Sequence, residues 1–284
     1  MTFISSVIAK QGIILAADSK ELIQGGQLLW KDFDDILKLK NTNEDDTKFC
    51  ISPKEIKDKF KENAQLTDGR VKSTDGAKKI FQLGSHSAIL ISGNANPAGQ
   101  EYSEIIERIK SKVSSSGDNS FQKIIETTFA ELSAILTVDI SDDKHQTEFL
   151  VCGFDEADSK FKVYRFAFTD KLVMDEEGNA KRTATGGLIK EKIFKQFERN
   201  VLLNTSGWTD FVGELGTINN LSLEIELSQA FELSKKIMDL VVAIESIRHS
   251  ITGIGGKIYF AAITADGFFW VNSETDVMNL LRQK

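Results

Sequence analysis

The chain has 284 residues, of which 41% are hydrophobic and 27% are charged, and its formal net charge is −7. This composition is typical of a folded globular protein with a sizeable core. The acidic balance argues against a general nucleic-acid-binding protein, which would carry a dense cluster of Lys and Arg. The sequence contains no apolar run of the roughly 20 residues that a membrane span needs. Its first residues lack a basic segment and their apolar run breaks at Lys10, so we expect no signal peptide. We therefore expect no membrane partner and a cytoplasmic location.

The residues that most often bind metals are scattered along the chain. Cys50 and Cys152 lie in unrelated contexts, without the spacing of a zinc site or a disulfide framework. Cys152 lies in the apolar run FLVCGF, which predicts a buried thiol. The histidines, His86, His145 and His249, show neither triad nor metal-ligand spacing. The sequence therefore predicts no metal and no organic cofactor.

The chain begins with two apolar segments, residues 3–9 and 12–18, around the turn signal Lys10-Gln11-Gly12. This pattern predicts a β-hairpin. The second segment, GIILAAD, is apolar on both faces, which is typical of a strand that is covered on both sides. Residues 27–39 show a weak pattern that is compatible with a continuation of the sheet.

Residues 40–76 differ in composition from the rest, because they are polar, highly charged and poor in large apolar side chains. Two interpretations remain open: an inserted segment with one short helix after Pro53, or a solvated loop. Order returns at KKIFQLGSHSAILISG, where two strands flank the turn Gly84-Ser85-His86 and predict a second hairpin.

Apolar residues at helical spacing then predict two helices, separated by the SSSGD segment. The first stripe contains Ile105, Ile106, Ile109 and Val113, and the second contains Ile124, Ile125, Phe129, Leu132 and Leu136. Two strands follow, QTEFLVCGFD and KFKVYRFAFTD. The turn TATGG predicts the start of a helix over LIKEKIFKQF, and a long helix is predicted over about 221–248. The strands KIYFAAIT and FFWVNS form a third predicted hairpin.

The order of predicted elements is strands, a helix pair, strands, helices and strands. It lacks the alternation of strand and helix that a parallel doubly wound sheet requires. We therefore expect an α+β fold in which two antiparallel sheets stack on each other and helices cover them. The prediction is a single domain over residues 1–284, with a charged insertion at about 40–76.

Thr2 follows the start methionine and precedes the first predicted strand. If Met1 is removed, Thr2 carries a hydroxyl nucleophile beside an α-amine whose ordinary pKa is about 7.7–8.0. That amine can accept the hydroxyl proton without a histidine. Met-Thr starts are common, however, so the residue type alone does not identify a catalytic threonine.

The spacing of later residues resembles the β-type subunits of proteasomes and their bacterial relatives of the HslV type. Thr2 and Asp18 are sixteen positions apart, joined by Lys10-Gln11-Gly12 and the run Leu15-Ala16-Ala17-Asp18-Ser19. A second block, Ala77-Lys78-Lys79-Ile80-Phe81, is followed by Ile91-Ser92-Gly93, and Gly93 lies fourteen positions after Lys79. The resemblance follows the order of elements over most of the chain, but strong motif agreement is confined to residues 2–19 and 77–93.

The resemblance implies catalytic roles that make electrostatic sense. Lys79 would lie near the Thr2 hydroxyl and lower the cost of forming the alkoxide, and Asp18 would keep Lys79 charged and oriented. The backbone N–H of Gly93 would face the developing oxyanion. Each of these residues taken alone is more simply a turn or strand-end residue, whereas their joint spacing favours the catalytic interpretation.

A third block, Ala184-Thr185-Gly186-Gly187, is similar to the Gly-Ser-Gly turn that opens a helix in this family. The resemblance implies that Thr185 supports the terminal amine, although a plain helix N-cap explains the block equally well. It also implies that Leu22, Ile91 and Ala95 surround the substrate pocket. Ordinary core residues are an equally good interpretation of those three.

The family's Asp and Ser ahead of the late Gly-Gly pair are replaced here by Ile251 and Ile254. HslV-type members also lack that pair, so activity is not excluded. The resemblance implies an Ntn-hydrolase fold, a four-layer αββα sandwich, and threonine-type peptidase activity on peptides or unfolded proteins. It also implies a homo-oligomeric ring or stacked assembly, with an unfoldase partner left open. The alternatives are a catalytically silent structural or binding subunit and an amidase acting on small substrates.

Overall fold

The computed structural model describes residues 2–24, 71–93, 97, 100–139, 147–199, 201–207, 225–248 and 254–282. Contacts divide the chain into two compact units. The first contains residues 1–21 and 75–284, and the second contains Leu22–Thr74. Of the second unit, residues 22–24 and 71–74 are described, so most of the predicted charged insertion and the possible helix after Pro53 lie outside the described residues.

The described residues form twelve strands and four helices. The strands are β1 (Phe3–Ala9), β2 (Gly12–Asp18), β3 (Lys20–Gln24), β4 (Val71–Asp75), β5 (Ile80–Gly84), β6 (Ser87–Ser92), β7 (Glu148–Asp155), β8 (Lys160–Leu172), β9 (Lys190–Glu198), β10 (Leu203–Gly207), β11 (Ile258–Thr264) and β12 (Gly267–Val271). The helices are α1 (Tyr102–Ser116), α2 (Phe121–Asp139), α3 (Leu227–Arg248) and α4 (Glu274–Arg282).

Two antiparallel five-stranded sheets form the centre of the first unit. The order of strands is β10-β1-β2-β11-β12 in the first sheet and β5-β6-β7-β8-β9 in the second. The strands β3 and β4 pair separately as a two-stranded sheet. The α+β class and the antiparallel pairing predicted from the sequence are confirmed.

The two large sheets face each other across one apolar core. From the first sheet this core takes residues such as Ile13 and Leu15, and from the second it takes Leu90 and Leu150. Because side chains alternate along a strand, the other face of each sheet must be covered by a different layer. The strand β2 is buried along its whole length, as its two-sided apolar sequence predicts.

Helices cover the outer face of each sheet. The helices α1 and α2 bury their apolar stripes against the second sheet, and α3 and α4 pack on the first. The layer order of this unit is therefore helices, sheet, sheet, helices. Among the described residues, no helix has both the length and the apolar character needed to cross a membrane.

The helix predicted over LIKEKIFKQF is wrong, because most of this segment forms the strand β9. Its Lys, Glu and Gln residues have high helix propensity, but packing decides the outcome. Phe194 lies directly opposite Phe168 on β8 and stacks on Phe129 of α2 at 5.1 Å between ring centroids. A strand presents Phe194 to both partners, and aromatic burial of this kind outweighs a few tenths of a kcal/mol of propensity per residue.

The helix α4 was not predicted, although the sequence carries a signal for it. The hydroxyl of Ser273 accepts a hydrogen bond from the Asp276 N–H at 3.2 Å, and the Asp276 carboxylate accepts one from the Ser273 N–H at 3.0 Å. This reciprocal pair is a capping box of the type Ser-x-x-Asp. The capping box begins at Ser273, two residues after the third hairpin ends at Val271. The helix that follows buries Val277.

A close approach at Gly153 of β7 gives a test of this packing. A Cβ atom added there would lie 2.3 Å from the ring of Phe121, the first residue of α2. We expect Gly153→Ala to lower the free energy of unfolding by about 1–3 kcal/mol, the usual cost of overpacking a core. Urea unfolding followed by circular dichroism measures the change.

The matched control for this prediction is the double variant Gly153→Ala/Phe121→Leu. A smaller side chain at position 121 makes room for the new methyl group, so the double variant should lose less stability than the sum of the two single variants. Strict additivity would contradict a direct clash between the two positions.

Candidate active site

The predicted site is centred on Asp18, the last residue of β2, whose side chain is fully buried. Its carboxylate accepts four hydrogen bonds from parts of the chain that are far apart in sequence. Oδ1 accepts the Phe3 N–H at 3.0 Å and the Lys79 ammonium at 2.9 Å. Oδ2 accepts the N–H groups of Lys20 at 3.1 Å and Gly255 at 3.3 Å. This set of donors makes a buried carboxylate tolerable.

Lys79 lies directly before β5, and its side chain is only 9% exposed. Its Nζ atom donates to Asp18 Oδ1 and to the backbone carbonyl of Lys20. The carbonyl of Lys79 itself accepts the N–H of Ile91, which ties the start of β5 to β6. The ammonium group is thus held in one place by a carboxylate and a carbonyl.

Thr2 directly precedes β1 and is 9% exposed. The N–H of the next residue, Phe3, and the ammonium of Lys79 share one oxygen, Asp18 Oδ1. The Phe3 nitrogen lies 3.0 Å from this oxygen and Lys79 Nζ lies 2.9 Å from it, so the two nitrogens are separated by no more than the sum of these distances. The structure therefore brings the Lys79 ammonium beside the peptide bond that follows Thr2.

Burial is the largest influence on the acidity of Asp18, and it raises the pKa of the carboxyl above its ordinary value. The Lys79 charge and the N–H groups of Phe3 and Gly255 oppose this effect, because each stabilises the ionised form. Burial thus works against the charged form of Asp18, while Lys79 and the backbone donors work in its favour.

Gly93 follows β6 directly and is exposed. Its φ angle of 115° lies in the left-handed region, where a side chain would be strained. Since Ile91 pairs with the carbonyl of Lys79, Gly93 lies at the same end of the β5–β6 hairpin as Lys79. The structure thus brings four of the predicted catalytic residues to one end of the two sheets: Thr2, Asp18, Lys79 and Gly93.

The Gly255-Gly256 pair has a structural role at this site. Gly255 donates to Asp18 Oδ2 and accepts the N–H of Ser19 at 3.1 Å, and its φ angle is 136°. Ile254, which replaces a hydroxyl residue of the family pattern, is buried in the apolar core beneath α3. Ile251 lies outside the described residues.

Thr185 is placed differently from the expectation. It lies in an exposed turn of the hairpin extension between β8 and β9, where its hydroxyl is 3.0 Å from that of Thr183. The segment after it is the strand β9, so the helix that its amine-supporting role requires is absent at this position. Thr185 therefore lies in a hairpin turn and not at the start of a helix.

A different hydroxyl, not identified from the sequence, lies beside the first strand. The strand β10 pairs with β1, and Ser206 lies opposite Ile4 while Gly207 lies opposite Phe3. Ser206 donates to the carboxylate of Glu148, which also pairs with Arg165. The signal that could have identified this segment is the polar run Asn204-Thr205-Ser206-Gly207 directly after the apolar Leu202-Leu203.

The three predicted pocket residues cannot be assembled into a pocket from the described residues. Ile91 on β6 is buried in the core between the second sheet and α1 and α2, as the simpler interpretation expects. Leu22 lies on β3, but its side chain is outside what the structure describes, as is the whole of Ala95. Their role in substrate binding stays a prediction.

A cavity of about 580 Å³ lies at the opposite end of the β5–β6 hairpin. Its lining includes Ser85, His86, Lys110, Phe121 and Glu156, and it includes none of the predicted catalytic residues. The buried pair of Asp18 and Lys79 lies outside this cavity. Within the described part of the chain, no cluster of His, Cys, Asp and Glu has the geometry of a metal site.

Comparison with known proteins adds no assignment to this geometry. Neither a protein-family model nor a curated protein sequence matches the chain. The site therefore has to be interpreted from its own contacts.

The buried ion pair leads to a prediction about stability. Asp18→Asn leaves the Lys79 ammonium buried without a negative partner, and breaking one side of such a pair typically costs about 3–5 kcal/mol. We expect a loss of that size in urea unfolding. Glu191→Gln is the control, because Glu191 pairs with Lys171 at the surface with both side chains more than half exposed. Comparable losses in the two variants would contradict a special role for burial.

The acidity of Asp18 gives a second prediction. We expect its carboxyl carbon, followed by ¹³C NMR, to titrate with a midpoint above the ordinary value of 3.8, because burial disfavours the ionised form. Lys79→Met removes the positive charge that opposes this effect, so the midpoint should move further upward. A midpoint that moves downward in Lys79→Met would show that Lys79 does not stabilise the carboxylate.

Proposed function

We propose that this protein is a threonine-type peptidase that uses Thr2, exposed as the first residue by removal of Met1, as its nucleophile. The observation that carries the proposal is the shared oxygen Asp18 Oδ1, which accepts the N–H following Thr2 and the Lys79 ammonium. A buried lysine held beside the start of a strand by a buried aspartate is costly to build. A nucleophile next to that lysine explains why the arrangement exists.

The chemistry follows from the groups of Thr2 itself. The α-amine accepts the proton of the hydroxyl while Oγ1 attacks the carbonyl carbon of the scissile peptide bond. The resulting tetrahedral intermediate collapses when the leaving amine takes that proton, which leaves an acyl ester on Thr2. Water, deprotonated by the same amine, then attacks the ester; the amine returns that proton to Oγ1 as the carboxylic acid leaves, which regenerates the Thr2 hydroxyl. Atoms and protons balance without a metal or an organic cofactor.

Lys79 and Gly93 stabilise the charges that appear during this reaction. The Lys79 ammonium favours the developing alkoxide of Thr2, and Asp18 keeps that ammonium charged and oriented. Gly93 has the positive φ of a residue whose N–H can face an incoming carbonyl, and the absence of a side chain permits close approach. These roles belong to the proposal and account for the convergence of the four residues.

The layer order of helices, sheet, sheet and helices supports the finer assignment to the four-layer Ntn-hydrolase sandwich. In the same proposal the substrate is a peptide or an unfolded protein chain, and the protein assembles into a homo-oligomeric ring or stack in the cytoplasm. The resemblance of residues 2–19 and 77–93 to proteasome β-type and HslV-type subunits carries these parts, and an unfoldase partner remains open.

One observation favours a second candidate, a catalytically silent subunit of the same fold. Ile254 replaces a hydroxyl that the family pattern places near the terminal amine, and its side chain is only 1% exposed within an apolar core. An apolar residue there cannot orient an amine by hydrogen bonding. A silent subunit would keep the buried pair of Asp18 and Lys79 for stability alone.

Covalent labelling distinguishes the two candidates. The purified protein is first weighed intact, and it is then incubated with a peptide β-lactone or epoxyketone and mapped by mass spectrometry. We expect a mass without Met1 and one label on Thr2, because only a free N-terminal Thr offers both reactive groups. Thr2→Ala should lose the label and peptide hydrolysis completely, while Thr183→Ala, in the exposed hairpin, should retain both. Retained Met1, or a label elsewhere only, would reject the peptidase assignment.

A further inference from the structure

A chain of three polar side chains links the two sheets beside the candidate site. Ser206 of β10, in the first sheet, donates a hydrogen bond to one carboxylate oxygen of Glu148, the first residue of β7 in the second sheet. The other oxygen of Glu148 accepts the Arg165 guanidinium from β8. Ser206 is fully buried, and the side chain of Glu148 is 18% exposed.

The strand registers place these three linked side chains at the same end of the sheets as the candidate active site. Glu148 lies opposite Ser92, the residue directly before Gly93. Ser206 lies opposite Ile4, and Ile4 faces the core between the sheets. Because side chains alternate along a strand, Thr2 projects to the same face as Ile4. Thr2 and Ser206 are therefore diagonal neighbours on adjacent strands.

The backbone of β1 shows which side of the strand the Thr2 amine occupies. The N–H of Phe3 points toward β2, since it donates to Asp18. The N–H of Ile8 points the other way and donates to the carbonyl of Leu202, directly before β10, at 2.9 Å. Successive N–H groups of a strand point to opposite sides. The Thr2 nitrogen, like that of Ile8, therefore points toward β10 and the side of Ser206.

We propose that Glu148 is a positioning residue that orients the Thr2 amine through Ser206. The inference rests on the proposed function, because it requires a free amine on Thr2. Since the Ser206 proton is given to Glu148, the Ser206 oxygen offers only lone pairs to its other neighbours. That oxygen accepts an N–H of the Thr2 amine and leaves the amine lone pair directed at the Thr2 hydroxyl. Arg165 holds the Glu148 carboxylate in the required orientation.

The negative charge of Glu148 should shift the pKa of the Thr2 amine in a known direction. A carboxylate near an amine favours the ammonium form and raises the pKa of the amine. Removing the negative charge of Glu148 while Arg165 remains should therefore lower the pKa of the Thr2 amine. A purely structural role for Glu148 would alter stability without moving that midpoint.

The test compares the rate of Thr2 labelling by a peptide β-lactone, as a function of pH, in the full-length wild type and four variants. The variants are Glu148→Met, Glu148→Gln, Ser206→Ala and the double variant Glu148→Met/Ser206→Ala. Glu148→Met should label about 10- to 100-fold more slowly, the factor that corresponds to losing one charge-assisted hydrogen bond. Glu148→Gln, which keeps an oxygen that can accept the Ser206 proton, should slow less, and both should shift the midpoint to lower pH.

The double variant tests whether the two residues act through one another. If Glu148 works through Ser206, the double variant should label no more slowly than Ser206→Ala alone. The matched control is Asp155→Asn, because Asp155 ends the same strand and forms a comparable pair with Lys162 at 2.7 Å. Asp155→Asn should leave the labelling rate and its midpoint unchanged.

The outcomes separate this inference from the proposed function. A wild type that takes no label at Thr2 overturns both. A labelled wild type combined with an unchanged rate and midpoint in Glu148→Met, or with slowing that is additive to Ser206→Ala, overturns the positioning role alone. If circular dichroism shows that Glu148→Met does not fold, the pH midpoint of Glu148→Gln decides, and an unmoved midpoint overturns the role.

Discussion

The structure depends on one buried carboxylate. Asp18 is fully buried, and its four donors come from the start of β1, the residue after Ser19, the residue before β5 and the segment before β11. A buried charge without partners costs several kcal/mol, and the hydrogen bonds from these donors offset that cost. Because three of those donors are backbone N–H groups, the constraint acts on the path of the chain as well as on side chains. The ends of β1, β2 and β11 are thereby fixed relative to the lysine that precedes β5.

The elements that could be predicted from the sequence are those whose hydrophobic pattern is contained within a short segment of the chain. The three hairpins follow from apolar runs around short turn signals, and the helices α1 and α2 follow from apolar stripes at helical spacing. The strand β9 could not be predicted in this way, because its charged residues favour a helix and the deciding contact, Phe194 on Phe129, lies 65 positions away in sequence. Tertiary packing outweighed local propensity there.

The residues of the candidate site also differ in whether a local sequence pattern could identify them. Asp18 was identified by its spacing from Thr2 and Lys79 by its spacing to Gly93, and the structure joins Asp18 and Lys79 at 2.9 Å. Ser206 and Glu148 were missed because their meaning comes from pairing between strands, which no short motif records. Thr185 was chosen for its local Thr-Gly-Gly sequence, but that sequence serves a hairpin turn. A hydroxyl next to glycine is common in turns, so such a motif needs its three-dimensional context before it can be assigned a role.

The low exposure of Thr2 has a consequence for the processing that the proposed function requires. In the folded chain this residue is 9% exposed, and it directly precedes a strand that is paired on both sides. An aminopeptidase needs an extended, accessible substrate. If Thr2 is the nucleophile, removal of Met1 would therefore have to precede the folding of β1 into its sheet. Molecules that folded first would keep a blocked amine, so the rate of folding would set the fraction of molecules that could become active.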